Sequence, residues 1–367
     1  MAASSRPRAG WAAQGNLSEL SVAPPTIPQG LMTHAPQEIA GRELSSPEHF
    51  HEFLEGGQPV VIRGLVADWP VVQAARGATG ALQDYFAQFD NGTNVEVFIG
   101  DPAIRGKYYY NPGLQGFNFE RRTMKLMEAV NYMLQPPEQR NSRSMYVGSV
   151  PTADCLPGFA AGNPMPLAAG PGPRIWLGTA ANISSHYDTF DNLACVIAGR
   201  RRFTLYAPEL ISRLYIGPLD NTMSGPPVSL AASAPEGSAD SFPLFEEIRD
   251  QALTAELDPG DALYLPKLWW HQVESTAAFN GLVNYWWDAF SSGPDAPYTS
   301  LLLAMITIAE RPPAERRAWK AFFDHYVFRS NGHPLAHLPP EQHGLLGPLK
   351  SDNYSKIRAR ILRLLRL

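Results

Sequence analysis

A succession of short β-prone runs between Ser144 and Phe290 constrains the fold of this chain more than any other feature. Each run holds four to six residues rich in aliphatic or aromatic side chains, and turn-forming segments separate the runs. The runs are Ser144–Val147, Arg174–Leu177, Leu193–Ile197, Arg202–Tyr206, Ala262–Leu265 and Leu282–Trp287. Many short strands joined by turns form sandwiches or barrels, and the 34 prolines and 30 glycines supply the turns. The sequence therefore predicts a mainly β core.

Three potential metal ligands stand at two places within this β region. His186 and Asp188 are separated by one residue, so both side chains would project from the same face of an extended segment. His271 follows the predicted strand Ala262–Leu265. Two imidazoles and one carboxylate form a facial triad that leaves open positions on the metal, a ligand set typical of non-haem Fe(II) oxygenases. The alternative is a surface His186 and a core His271 that is bonded to the backbone.

The segments on either side of the β region have different patterns. Residues 1–40 contain few large apolar side chains and several prolines, which predicts a loosely structured segment. Residues 41–298 are expected to form one domain with helical elements before the barrel, because Ser46-Pro47 is typical of a helix start and Val60–Ile62 of a buried strand. Residues 299–367 predict a helical region, whose apolar helices could pair two subunits into a homodimer.

The composition indicates which binding partners and which cellular compartment to expect. A net charge of −5 and a pI of about 6.0 lack the basic excess of a nucleic-acid-binding protein, so no nucleic-acid partner is expected. The two cysteines, Cys155 and Cys195, are too few for a disulfide framework and indicate a reducing compartment, the cytoplasm. Residues 1–30 lack the apolar stretch of a secretory leader, and the apolar run Leu301–Ile308 is too short to span a membrane, so no membrane partner is expected.

Two motifs in the β region carry a family resemblance. Gly-Asp-Ala-Leu-Tyr-Leu-Pro-Lys-Leu-Trp-Trp-His, residues 260–271, resembles the second metal motif of the cupin-like JmjC hydroxylases, the family of the hypoxia-inducible-factor asparaginyl hydroxylase and its bacterial homologues. His186-Tyr187-Asp188, with Asn192 and Gly199-Arg200-Arg201, resembles the first motif. The resemblance implies a double-stranded β-helix, or jelly roll, that uses Fe(II), 2-oxoglutarate and O2. It also implies hydroxylation of an amino-acid side chain in a peptide or protein, with release of succinate and CO2.

The resemblance further implies residues that bind 2-oxoglutarate. The family carries a lysine for the far carboxylate 15 residues beyond the first histidine, and here that position is Arg201, whose planar guanidinium can bind a carboxylate through two hydrogen bonds. Asn192, Asn284 and Tyr146 match other residues that line this pocket. Ile183 stands where the family has a hydroxyl group, so one hydrogen bond is missing or comes from one of the two serines that follow it.

Aromatic residues are the candidates for substrate contact. Trp286 should share a strand face with Asn284, and Tyr108, followed by Tyr109 and Tyr110, predicts an aromatic cluster in a loop over the mouth of the barrel. Ordinary core or lid packing is the alternative for these side chains. Three other functions stay open: a small-molecule hydroxylase, an RNA hydroxylase, and a non-catalytic cupin-like binding protein. The departures from the family pattern at Ile183 and Arg201 are compatible with the last of these.

Overall fold

The computed structural model describes residues 35–365, except positions 45, 79, 169, 171, 221, 224, 235–238 and 292. The strands within the described residues are β1 (Gln37–Ala40), β2 (Val60–Arg63), β3 (Asn94–Gly100), β4 (Lys107–Tyr108), β5 (Phe119–Lys125), β6 (Ser144–Pro151), β7 (Arg174–Gly178), β8 (Ala181–His186), β9 (Asp191–Ala198), β10 (Arg201–Tyr206), β11 (Leu253–Leu257), β12 (Ala262–Leu265), β13 (Trp270–Ser275) and β14 (Asn280–Trp287). The α-helices are α1 (Pro47–Gly56), α2 (Pro70–Arg76), α3 (Ala81–Ala87), α4 (Leu126–Leu134), α5 (Thr152–Cys155), α6 (Phe159–Gly162), α7 (Pro243–Glu246), α8 (Pro297–Ile308), α9 (Pro313–Tyr326) and α10 (Ser351–Leu364).

Two sheets form the body of the protein. The larger sheet has the order β1-β2-β12-β9-β14-β7-β6-β3-β5, and the smaller has the order β11-β10-β13-β8-β4. From β7 to β14 the chain alternates between the sheets, except that β10 and β11 are neighbours in the smaller one. Each sheet therefore contributes four strands to a double-stranded β-helix, β12-β9-β14-β7 facing β11-β10-β13-β8. The predicted fold class is confirmed.

Both faces of the central strands of the larger sheet are buried, which explains why β9, β12 and β14 are largely apolar. One face packs against α1–α4, and alternate residues of the same strands meet the smaller sheet inside the barrel. On β9, for example, Cys195 belongs to the outer core, whereas Ala194 and Val196 belong to the barrel interior. Cys155 and Cys195 are both buried and free, as expected of Cys195 as a small core residue.

The segment before the β-helix departs from the sequence expectation at two places. Residues 1–34 lie outside the described residues, but Gln37–Ala40 form an edge strand parallel to β2 rather than a loose segment, held by an ion pair of 2.5 Å between Arg63 and Glu38. Helix α1 begins as predicted, with the Ser46 side chain accepting a hydrogen bond from the His49 N–H. The predicted helix from Met124 begins two residues later, because the polar segment Phe119–Lys125 pairs with β3.

The region beyond the β-helix is helical. Helices α8 and α9 contain no buried residue, although α8 is composed mainly of apolar side chains. None of the helices among the described residues combines the length and apolarity needed to cross a lipid bilayer.

Candidate metal centre

His186 and His271 face each other across neighbouring antiparallel strands of the smaller sheet. His271 of β13 stands directly opposite His186 of β8, and the centroids of the two imidazole rings are 4.3 Å apart. The His271 Nε2 atom lies 3.7 Å from Asp188 Oδ2. Ligand atoms of all three side chains lie within 4.8 Å of one another, so the structure brings the three predicted ligands together.

An irregularity in the strand pairing aims His186 at this cluster. Val273 opposes Ile183 while His271 opposes His186, so β8 holds one residue more than β13 over this stretch. The extra residue lets Ile183 and His186 both point into the barrel, although they are three positions apart. Asp188 lies two residues beyond His186, the last residue of β8.

A contact between loops fixes the backbone of Asp188. The Leu268 N–H donates a hydrogen bond of 2.8 Å to the Asp188 carbonyl, and Leu268 adopts a left-handed backbone conformation with φ of 69°. This conformation is uncommon for a residue with a branched side chain. The loop that leads into His271 therefore also fixes the backbone of the acidic ligand.

Backbone carbonyls set the orientation of both imidazoles. Nδ1 of His186 lies 2.8 Å from the Ser184 carbonyl oxygen, and Nδ1 of His271 lies 3.0 Å from the Trp269 carbonyl oxygen. A carbonyl oxygen can only accept, so each Nδ1 carries the proton and each Nε2 keeps its lone pair. His271 is bonded to the backbone, as the alternative expectation held, and its other nitrogen is still available to a metal.

The electrostatics of the cluster fit a divalent cation. Burial, and then His186, lower the pKa of His271 to about 3, so this imidazole is neutral at physiological pH. Burial raises the pKa of Asp188, an effect opposed by His186 and by the Trp286 indole. A neutral His271 imidazole gives the buried carboxylate no compensating charge, and a metal ion would supply one.

Arg201 extends into the same barrel interior. Its side chain is 3% exposed, and its Nε atom has no hydrogen-bond partner within the described part of the chain. Burial lowers the pKa of Arg201 to about 10. As expected from alternation, Arg200 and Arg202 point outward, where they pair with Asp258 and Glu256. A buried guanidinium whose Nε is unsatisfied fits an anionic ligand that fills the barrel.

The turn before β10 fixes the direction of Arg201. Gly199 has a φ of 72°, and a Cβ atom there would collide with the Asn280 side chain, so glycine is required. The Asn280 oxygen accepts a hydrogen bond of 3.2 Å from the Arg200 N–H, which holds the turn closed.

The two asparagines predicted for the cosubstrate pocket contact each other. Asn284 Nδ2 donates to Asn192 Oδ1 at 3.0 Å, and the Trp176 indole donates to Asn284 Oδ1 at 2.6 Å. Both of these partners of Asn284 are side chains. Trp176 was not among the predicted site residues, although its alternation with Arg174 on a predicted strand indicates the same face.

Tyr146 and Tyr108 lie together on the wall of the barrel. Tyr146 is buried, and both Arg201 and Asp188 are close enough to influence its pKa, which burial raises. Tyr108 is 1% exposed and lies in β4 rather than in a loop, so the loop expectation is wrong for this residue. The Tyr108 hydroxyl lies 3.2 Å from Ser144 Oγ. The ring of Tyr108 packs beside Tyr146, away from the surface, because it fills the gap between the two sheets. Its role as a substrate contact stays a prediction.

The hydroxyl groups of Ser184 and Ser185, which follow Ile183, differ in their partners. Ser184 donates its hydroxyl to the Tyr108 carbonyl at 2.5 Å. The Ser185 hydroxyl is buried without a partner among the described residues. Ile183 itself packs in the barrel interior, so this part of the pocket is apolar.

Comparison with known proteins shows the family to which this chain belongs. A family model described as a cupin-like domain matches residues 46–293, more than half of the sequence. The chain belongs to the cupin-like domain family. The JmjC resemblance expected from the two metal motifs is confirmed by curated relatives of this cupin-like protein.

These relatives are similar over part of their length. The Drosophila melanogaster Jumonji C domain-containing protein 5 is 24% identical over 258 residues, 68% of this chain and 60% of that protein. The Homo sapiens bifunctional peptidase and (3S)-lysyl hydroxylase JMJD7 is 26% identical over 283 residues, 66% of this chain and 81% of that protein. The Mus musculus tRNA wybutosine-synthesizing protein 5 is 31% identical over 117 residues, 32% of this chain and 31% of that protein. The chain thus spans less than two thirds of the fly and mouse proteins.

Proposed function

We propose that this cupin-like protein is an Fe(II)- and 2-oxoglutarate-dependent dioxygenase that hydroxylates an amino-acid side chain in a peptide or protein. Succinate and CO2 would be the other products. The observation that best supports the proposal is the presence of a three-ligand cluster and an unsatisfied buried guanidinium in one barrel, both within electrostatic range of Tyr146. Two relatives are named as a (3S)-lysyl hydroxylase and as a tRNA wybutosine-synthesizing protein, and both names support modification of a macromolecule as the class of reaction. The first of them favours a protein as the substrate.

Each residue of the site has a role in this proposal. His186, Asp188 and His271 would hold Fe(II), which supplies the activation of O2 that organic side chains lack. Arg201 would bind the far carboxylate of 2-oxoglutarate, with Asn192, Asn284 and Tyr146 lining the rest of its pocket. Trp286, next to Asp188, would face the substrate.

Arginine at position 201 suits the role that lysine has in the family. Its planar fork can form two parallel hydrogen bonds with one carboxylate, and it is always charged at physiological pH. The bound carboxylate would compensate a charge that burial disfavours. This favours an active enzyme over a cupin-like binding protein that has lost turnover.

Oxygen-dependent conversion of 2-oxoglutarate to succinate tests the proposed reaction. We expect succinate from the wild-type protein with Fe(II), and no succinate above background from His271→Ala. Arg202→Gln, one position from Arg201 but outward-facing, is the matched control and should retain activity. Metal-dependent succinate formation that survives His271→Ala would contradict the assignment of the ligands.

We further propose that α8 and α9 form a homodimer interface. Ile306 is 83% exposed and Phe322 57% exposed, and exposed apolar surface of this kind is typical of a protein interface. Sedimentation analysis should give a dimer for the wild type and a monomer for Ile306→Asp. A monomeric wild type would refute the interface.

We also propose a cytoplasmic location, which the two free buried cysteines support.

A further inference from the structure

Arg174 lies at the end of the barrel interior that is nearest to the candidate metal ligands. It is the first residue of β7 and pairs with Asn284 of β14 in the sheet register. Its guanidinium carbon is 5.7 Å from the centroid of the Trp286 ring. Trp286 in turn acts electrostatically on Asp188. Arg174 and Asp188 therefore both lie near the Trp286 indole.

Neutral groups hold the Arg174 side chain in place. Nε donates to Ser149 Oγ at 2.7 Å, and Nη2 donates to the Ser149 carbonyl oxygen at 2.6 Å. Ser149 has a φ of 56°, a left-handed conformation that turns both of its oxygens toward one guanidinium. The side chain is thereby fixed without its charge being neutralised.

Arg174 differs from the arginines that form ion pairs at the surface. Arg63, Arg200 and Arg202 each form an ion pair with a carboxylate. Arg174 is half-buried, yet it forms no ion pair with any carboxylate that the structure describes. A preorganised, partly desolvated cation beside a reaction centre is a recognition site for an anion.

The two carboxylates of 2-oxoglutarate are already accounted for in the proposed function. One belongs to the keto-acid end at the metal, and the other would bind Arg201 deep in the barrel. Arg174 is more exposed than Arg201 and lies beside Trp286, the candidate for substrate contact. A carboxylate bound by Arg174 would therefore belong to the substrate.

We propose that Arg174 selects a peptide or protein substrate with an acidic side chain next to the hydroxylated residue. This inference rests on the proposed function and names the substrate class of the same site. A charge-assisted hydrogen bond contributes enough that its loss should reduce the preference for an acidic over an amide side chain about 10- to 100-fold.

The test uses capped peptide libraries that differ only by Asp or Glu versus Asn or Gln at each position. The full chain with Fe(II) and 2-oxoglutarate is incubated with each library, and the mass gain of one oxygen atom is measured. Binding of the same peptides is followed by tryptophan fluorescence without Fe(II), so that the preference is measured even without turnover. The variants are Arg174→Gln and Arg174→Lys, with Arg122→Gln on the exposed strand β5 as the control.

We expect the wild type and Arg122→Gln to prefer acidic peptides, Arg174→Gln to lose that preference, and Arg174→Lys to recover part of it. The KM for 2-oxoglutarate should stay unchanged in all variants, which shows an intact site. Equal treatment of acidic and amide peptides by the wild type would overturn the inference. A raised KM for 2-oxoglutarate in Arg174→Gln would also overturn it, because Arg174 would then bind the cosubstrate. Loss of succinate formation by the wild type, with acidic peptides still preferred in binding, would refute the proposed function but not the anion site.

Discussion

Replacing Arg201 with methionine should weaken 2-oxoglutarate binding and at the same time stabilise the ligand-free protein. Arg201 is 3% exposed and its Nε is unsatisfied. The pKa of about 10 that burial imposes corresponds to a cost of about 3 kcal/mol for keeping the cation in the barrel. Methionine fills a similar volume without a charge, so the free energy of unfolding of the ligand-free chain should rise by about 1–3 kcal/mol.

The effect on the cosubstrate should have the opposite sign. Two charge-assisted hydrogen bonds from Arg201 to one carboxylate contribute about 1.5–3 kcal/mol each. Their loss should raise the Kd for 2-oxoglutarate by at least about 100-fold. Arg201→Lys, which restores the family residue, should recover most of the affinity, because an ammonium group also binds a carboxylate.

Calorimetric titration with 2-oxoglutarate and urea unfolding of the metal-free chain measure the two effects. Arg202→Met is the matched control, since Arg202 is on the same strand but exposed and paired with Glu256. An unchanged Kd in Arg201→Met would refute the clamp. A lower free energy of unfolding in Arg201→Met would refute the argument that the buried charge is uncompensated.

Two further changes test how the site is supported. Lys267 bridges Asp191 at 3.2 Å and Asp288 at 2.5 Å, and Asp191 is 2% exposed. Lys267→Met should therefore lower the free energy of unfolding by about 3–5 kcal/mol, measured by urea denaturation, because it leaves a buried carboxylate without its cation; a change below about 1 kcal/mol would contradict this. Trp176→Phe removes the donor to Asn284 and should raise the KM for 2-oxoglutarate about tenfold in the succinate assay, whereas an unchanged KM would place the asparagine pair outside the pocket.

The parts of the structure that follow from alternation were predictable from the sequence. Strands buried on both faces are continuous apolar runs, so β9, β12 and β14 were recognised from composition alone. The family motif predicts that Arg201 faces the pocket, and alternation along β10 then places Arg200 and Arg202 on the outer face. The family motifs added the identity of the second histidine.

Polar strands and loop contacts were not predictable in the same way. The segments that form β5 and β8 are polar because one is an exposed edge and the other carries the site, so neither shows an apolar pattern. The irregular pairing that aims His186 depends on β13, a strand distant in sequence. Asp188 is positioned by the N–H of Leu268, and Arg174 by Ser149, and such contacts across the fold leave no local signal.

Anaerobic titration of Fe(II) with 2-oxoglutarate tests whether His186, Asp188 and His271 bind one iron ion. A 2-oxoglutarate molecule that chelates Fe(II) produces a visible charge-transfer band, which requires a facial set of protein ligands with open positions. We expect this band in the wild type, saturating at equimolar Fe(II), and its absence in His186→Ala, Asp188→Ala and His271→Ala. A band of undiminished intensity in His271→Ala, or none in the wild type, would contradict the convergence of these three side chains on a single iron.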